Sequence, residues 1–241
     1  MFRKRFGQHF LHDPRILAKI VAAIDPAPEE RLVEIGPGEG ALTTALLERV
    51  RALEAIEIDR DLAARLAQRF PGGRLVLHCA DALRFDFSVF APGFRVVGNL
   101  PYNISTPLLF HLAPHAARVR DMHFMLQEEV VDRMVASPST PAYGRLSVSL
   151  QARFVMRKLF TVPRGAFKPP PAVESAVVRL EPLAERLLVD EDLLRRAFSA
   201  RRKTLRNALP EVDFAAAGID SGLRPENLSP ADYARLSACA R

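Results

Sequence analysis

Asn99, Leu100, Pro101 and Tyr102, followed by Asn103, are the residues of this chain best equipped to act on a flat, amine-bearing ring. The Asn99 amide supplies an acceptor, the proline stiffens the backbone so that carbonyls are exposed, and the tyrosine offers a stacking face. The same residue types also mark ordinary turns and would serve to end a strand. Context decides between the two. The stretch follows Phe94-Arg95-Val96-Val97-Gly98, an apolar run of the length expected of a buried strand.

A second cluster is Glu34-Ile35-Gly36-Pro37-Gly38-Glu39-Gly40, which follows another short apolar run, Leu32-Val33-Glu34-Ile35. Glycines there let the backbone approach a ligand and adopt positive φ. A dinucleotide loop would read G-x-G-x-x-G with a pyrophosphate at the helix N-terminus. Here the spacing is G-x-G-x-G, and Glu39 would repel a pyrophosphate. A ligand with an amino-acid group and a ribose but no phosphate fits better, and S-adenosylmethionine is the obvious candidate. Glu57 ends the run Leu53 to Ile58, where a carboxylate can accept both ribose hydroxyls. Asp81, beyond Leu75 to Cys79, can accept from an adenine amine or simply cap a turn. Glycine loop, acid, acid and amide thus fall at four successive strand ends.

Moving a methyl cation from a sulfonium to an aromatic amine is an in-line displacement. The amine lone pair is delocalised into the ring and must be freed. Acceptors on the amine protons, from Asn99 and from a backbone carbonyl near Leu100-Pro101, would pull the nitrogen towards tetrahedral geometry while Tyr102 stacks on the base. No strong general base is needed, so catalysis would consist of positioning and electrostatics.

The elements that must position these residues alternate between strand and helix. Asp13-Pro14 reads as an N-cap and first helical residue, Ile16 to Ile24 recur at helical spacing, and Asp25-Pro26 stops the helix. Further helices are marked by Leu42, Leu46 and Val50 and by Leu62, Leu66 and Phe70, and Met122 to Leu126 reads as a fifth strand. The alternation predicts a parallel sheet covered on both faces, with ligands beyond the strands' carboxyl ends. Gly144 to Arg153 looks helical, and Phe154 to Phe160 and Ser175 to Leu180 look like strands. Between those strands lies the stiff segment Phe167-Lys168-Pro169-Pro170-Pro171. Beyond Pro182 the pattern predicts helices over Leu187 to Leu209 and Pro230 to Ala240. A boundary near residue 182 gives one domain over 1–182 and a small helical domain over 183–241.

The chain has 241 residues, 49% of them hydrophobic, enough for a substantial core. A formal net charge of +6 favours a polyanionic partner such as nucleic acid. Arg195 to Arg206 holds six cations and no acid, a run that is either a solvated helix face or an RNA-backbone contact. Cys79 and Cys239 form neither a disulfide framework nor a metal cluster, and the scattered histidines suggest no metal site. No apolar run has membrane-spanning length, and Met1 to Leu11 lacks a secretory h-region. A reduced, cytoplasmic setting is expected.

Taken together, these residues resemble the ribosomal small-subunit RNA adenine dimethyltransferases, the KsgA family. The resemblance rests on Phe6-Gly7-Gln8-His9-Phe10-Leu11, Glu34 to Thr43, Glu57-Ile58-Asp59, Asn99 to Asn103, Phe167 to Ser175 and the basic segment from Phe198. It implies a Rossmann-like class I methyltransferase α/β sheet with a small C-terminal all-α domain. It also implies S-adenosylmethionine as donor and two adjacent adenines near the 3′ end of 16S rRNA as targets, each methylated twice. The implied partner is the small-subunit precursor, met by a monomer. Cofactor contacts are carried over to His9, Leu11, Gly36, Gly38, Glu57, Asp81 and Asn99. The target-base site falls on Asn99, Leu100, Pro101, Tyr102 and Phe167, with Phe167 as a second stacking face, and RNA contacts fall on Arg201, Arg202, Lys203 and Arg206. His9 stands where that family usually has asparagine, so a reshaped donor contact is expected. A DNA adenine methyltransferase would usually have proline at position 100 and a larger recognition domain. A non-catalytic assembly factor would not need Glu57, Asp81 and Asn99.

Overall fold

The computed structural model describes residues 9–239; Phe6, Gly7, Gln8 and Ala240, named above, lie outside the described residues. Two compact units are present, one formed by 1–131 and 157–181, the other by 132–156 and 182–241.

The first unit is a strand–helix alternation in which local signals do what the sequence leads one to expect. Helix α1 (Pro14–Ile24) starts where the Asp13 carboxylate accepts from Arg15 N–H at 2.8 Å, and it ends at Asp25 in the left-handed region, φ 45°. It is preceded by the two-residue strand β1 (Phe10–Leu11) and followed by β2 (Leu32–Ile35), α2 (Ala41–Leu47), β3 (Leu53–Glu57), α3 (Arg60–Arg69) and β4 (Leu75–Cys79). Then come β5 (Phe94–Asn99), α4 (Ser105–Leu112), β6 (Val119–Gln127), α5 (Glu128–Val135), α6 (Arg145–Gln151) and β7 (Phe154–Val162). The short β8 (Phe167–Lys168) and β9 (Ser175–Pro182) complete the strands.

Seven strands among the described residues share one sheet in the order β4, β3, β2, β5, β6, β9, β7. Pairings from β4 through β6 are parallel, with central strands that are mostly apolar and buried, as coverage on two faces requires, apart from a few buried charged side chains such as Glu34, Arg95 and Asp121. The expected parallel sheet carries an antiparallel neighbour at β9, which runs against β6 in register Gln127↔Ser175 to Met122↔Leu180. A reversed strand brings its first residue, Ser175, to the edge where its neighbours end.

Loops at that edge are sewn together by backbone bonds. Gly36 N–H donates to Ile56 O (2.9 Å), Ala80 N–H to Glu57 O (3.1 Å) and Leu100 N–H to Met125 O (3.1 Å). Gly98 permits the closest approach: a Cβ there would lie 2.6 Å from the Ile35 carbonyl oxygen, so no larger residue fits before Asn99. β1 pairs antiparallel with β8, Phe10↔Lys168 and Leu11↔Phe167, tying the chain start to the proline-rich loop.

The opposite edge is held by buried charge. The Arg95 guanidinium donates to both Asp121 carboxylate oxygens (2.7 and 2.9 Å), to Glu30 (2.7 Å) and to the last carbonyl of α1, Ile24 O (2.6 Å). Arg179 adds a bond to Asp121 at 3.2 Å. Such a network is conditionally stabilising, since loss of one partner strands the others in low dielectric.

In the second unit α6, α7 (Glu191–Ser199), α8 (Leu205–Ala208), α9 (Phe214–Ala217) and α10 (Pro230–Cys239) enclose their own apolar cluster. Tyr143, Val148 and Ala152 belong to that cluster together with Leu193, Leu205 and Tyr233, so 132–156 packs with the C-terminal helices, in contrast to a single cut at residue 182. The continuous helix expected over Leu187 to Leu209 is corrected to two pieces. Ala200 leaves helical geometry, and the chain turns through Arg202 before Thr204 restarts it. Among the described residues no helix is long and apolar enough to cross a membrane.

Candidate active site

The strand ends of β2, β3 and β5, the loop after β4 and the β1 segment enclose a cavity of ≈ 200 Å³. The eleven residues expected at the donor and base sites are His9, Leu11, Gly36, Gly38, Glu57, Asp81, Asn99, Leu100, Pro101, Tyr102 and Phe167, and all but Phe167 line it. The remaining lining residue of consequence is Glu34, on β2. In the sequence it reads only as the first residue of the glycine motif. An acid inside an otherwise apolar run, Leu32-Val33-Glu34-Ile35, is the available signal.

The cavity is lined by four carboxylates, Glu34, Glu39, Glu57 and Asp81, and by no described lysine or arginine. Glu34 is 2% exposed, and Thr43 Oγ1 donates to its Oε2 at 2.7 Å. Burial lifts its pKa to about 7, opposed by the Thr43 hydroxyl and reinforced by the charge of Glu57. Glu57 is held by the loop itself: Gly38 N–H donates to Oε2 (3.1 Å) and Asp59 N–H to Oε1 (2.9 Å). Burial raises its pKa too, while those two amides hold it down. Each Glu57 oxygen therefore keeps capacity to accept another hydrogen bond. Gly38 sits at φ +57° with its missing side chain replaced by the Phe10 ring, 2.8 Å from where a Cβ would be. The loop is thereby pinned between a carboxylate and a β1 aromatic.

Asp81 presents Oδ1 to Leu83 N–H at 2.9 Å, the turn-capping geometry, and is one of the residues lining the cavity. Ile58 is 47% exposed although apolar, beside Glu57 on the cavity wall, where it offers a flat contact for a ring. An electronegative cavity with an apolar wall suits a cationic, phosphate-free nucleoside and disfavours a pyrophosphate.

At the end of β5 the Asn99 Nδ2 donates to His9 O at 2.9 Å, which fixes the amide so that Oδ1 is the atom left to accept. The Pro101 carbonyl already accepts from Ile104 N–H (3.1 Å), leaving the Leu100 carbonyl as the second acceptor. Tyr102 is half-buried, its hydroxyl 2.7 Å from Ser175 Oγ. Burial raises the pKa of that hydroxyl, which stays protonated at neutral pH.

Three expected residues differ in their surroundings. The His9 ring donates through Nδ1 to Pro169 O (2.8 Å) and stacks on Tyr102 at 5.7 Å between centroids and 30° between planes. Its side chain thus serves the base-binding motif and the proline loop, while it lines the cavity from that position. Phe167, expected as a second stacking face, is 3% exposed here, stands opposite Leu11 in the β1–β8 pair, packs in the core cluster and is not among the residues lining the cavity. The β8 pairing turns it inward. Arg201, expected at an RNA surface, is ion-paired with Glu226 and donates to Pro141 O at 3.0 Å. Arg202, Lys203 and Arg206 are exposed. Among the described residues no cluster of His, Cys, Asp and Glu could hold a metal ion.

Comparison with known proteins agrees with this geometry. Residues 1–240 match the model of the family described as ribosomal RNA adenine dimethylase. A relative from Aromatoleum aromaticum, named ribosomal RNA small subunit methyltransferase A, is 60% identical over 98% of this chain and 92% of its own length. One of the same name from Thiobacillus denitrificans is also 60% identical, over 98% and 96%. Among solved structures, a dimethyladenosine transferase from Plasmodium falciparum superposes with TM-score 0.80 at 27% identity, covering 95% of this chain and 96% of that one. The 23S rRNA methyltransferase ErmE does so with TM-score 0.73 at 26% identity, covering 95% and 98%. With a match this long, to relatives this similar, the chain belongs to the ribosomal RNA adenine dimethylase family.

Proposed function

We propose that this family's reaction, methyl transfer from S-adenosylmethionine to the exocyclic amine of adenine in rRNA, takes place here on two adjacent adenines near the 3′ end of small-subunit rRNA, each dimethylated. The observation that carries the reading is that Asn99 to Tyr102 line the same cavity as Gly36, Glu57 and Asp81. The names of the two relatives above support the small subunit as target.

The residues fit the donor on three counts: a backbone cradle at Gly36 and Gly38, two buried carboxylates without a cationic partner on the cavity wall, and spare acceptor capacity on Glu57. When bound, the donor supplies an electrophilic methyl on a sulfonium. Glu57 accepts ribose hydroxyls, Asp81 accepts from the adenine amine of the donor, and Leu11 with Ile58 packs against its apolar parts. The Asn99 Oδ1 and the Leu100 O accept the target amine's protons, drawing the nitrogen out of the ring plane. Pro101 keeps that carbonyl in place. Tyr102 stacks on the extruded base. The surplus proton leaves to solvent after methylation, so no side chain acts as a strong base. Arg202, Lys203 and Arg206 hold RNA phosphates, positioning without reading sequence. The protein acts as a monomer on a small-subunit precursor in the cytoplasm.

The test is labelled-methyl incorporation into undermethylated small subunits, complete ribosomes and duplex DNA. Label in two adjacent adenines of small-subunit rRNA is the expected result, lost in Asn99→Ala. Label in DNA alone would overturn the reading.

A further inference from the structure

Tyr102 stands in a loop that is neither helix nor strand, yet a stacking platform works only if its plane is fixed. Its own neighbours do little to fix it: Ile104 N–H closes a turn on Pro101 O, and Ser105 Oγ donates to the Tyr102 carbonyl at 2.9 Å, both acting on backbone. The ring is held from two other places. His9 covers one face, and Ser175 Oγ meets the hydroxyl at 2.7 Å. Ser175 is fully buried, 0% exposed, and its backbone is locked in the β6–β9 ladder opposite Gln127. The antiparallel course of β9 is what puts the start of a strand at an edge otherwise built from strand ends. An anchor on the sheet therefore grips the far end of a side chain on a loop.

We propose that Ser175 is a positioning residue for the methyl-transfer reaction. Its hydroxyl holds the Tyr102 phenol so that the ring presents one fixed face to the target adenine, the other face being occupied by His9. The proposal rests on the rRNA methyltransferase reading for its substrate, but the hydrogen bond itself is measurable without turnover. Because neither hydroxyl is hydrogen-bonded to the donor-facing carboxylates, losing the pair is expected to act on the adenine and leave the donor alone.

The test uses the full chain as Ser175→Ala, Ser175→Thr, Tyr102→Phe and the Ser175→Ala/Tyr102→Phe pair. The sequence has three tyrosines and no tryptophan. Carbon-13 labelling at tyrosine Cζ thus gives few resonances, and Tyr143 and Tyr233 donate elsewhere, to Leu228 O and Pro225 O. Ser175→Ala is expected to move the Tyr102 resonance alone. It is expected to lower kcat/KM for RNA roughly tenfold, the scale of one buried hydroxyl bond with a group left unpaired, with donor Kd unchanged. Ser175→Thr restores activity, and the double variant is no worse than either single one. Ser175→Ala turnover within twofold of the parent, additive losses in the double variant, or an equal loss of donor affinity would each overturn the proposal. A shifted resonance in a protein whose parent methylates no RNA would instead indict the functional reading.

Discussion

Enclosed by β2, its neighbours and the Thr43 hydroxyl, the Glu34 carboxyl keeps its proton up to about pH 7. Between the ordinary carboxyl value of 4.5 and about 7 the folded chain binds a proton that the unfolded chain has released. The unfolding free energy therefore falls as pH rises through that window, by about 3 kcal/mol in total. Glu34→Gln is expected to remove that slope in denaturant titrations from pH 4.5 to 8; parallel profiles for parent and variant would refute it. A cationic donor favours the ionised carboxylate, so donor binding should release a proton near neutrality, visible by calorimetry in buffers of different ionisation enthalpy and absent in Glu34→Gln. His9 poses the complementary question. With its ring on Tyr102 and Pro169, His9→Ala is expected to raise KM for RNA several-fold and to leave donor Kd within about threefold. A tenfold rise in donor Kd with KM for RNA unchanged would return the side chain to the donor site.

Among elements, the strands of the parallel half were the most legible. Leu53 to Glu57 and Phe94 to Asn99 are apolar runs closed by a polar residue, and burial on two faces leaves the sequence no alternation to confuse the reading. Less legible were β1 and β8, two residues each, because a pair that short carries no periodicity and exists only through its partner. Its effect on Phe167 is correspondingly hidden: beside three prolines the residue reads as loop, whereas pairing with Leu11 turns it into the core. Phe167→Ala is therefore expected to lower stability by about 3–4 kcal/mol, read from the denaturation midpoint. Activity per folded molecule should stay near the parent value at low temperature. Unchanged stability with collapsed turnover would instead make the ring a base platform. Strand direction was the other blind spot. Ser175 to Leu180 has the composition of a strand either way, and nothing in it announces that β9 runs backwards.

For the whole molecule, charge is divided unevenly. In the second unit Arg195 and Arg196 pair with Asp192, and Arg201 with Glu226, acids that a reading of the basic segment alone could not supply. Arg202, Lys203 and Arg206 carry the remaining positive charge outward. Replacing those three with glutamine is expected to flatten the plot of log affinity for RNA against log salt by about 2–3, whereas Arg201→Gln chiefly loosens the unit. An unchanged slope in the triple variant would place the phosphate contacts elsewhere. The sheet, for its part, separates its duties: chemistry stands at the carboxyl edge, and Arg95 with Asp121 and Glu30 clamps the amino edge. A genetic screen for missing methyl marks would return alleles from both. They would part company on a cold plate. Arg95→Met, which strands a buried acid at about 3–5 kcal/mol, is expected to recover in cool growth or with extra gene copies. An Asn99→Ala allele would stay silent at every temperature, so the heat sensitivity of an allele tells which edge of the sheet it struck.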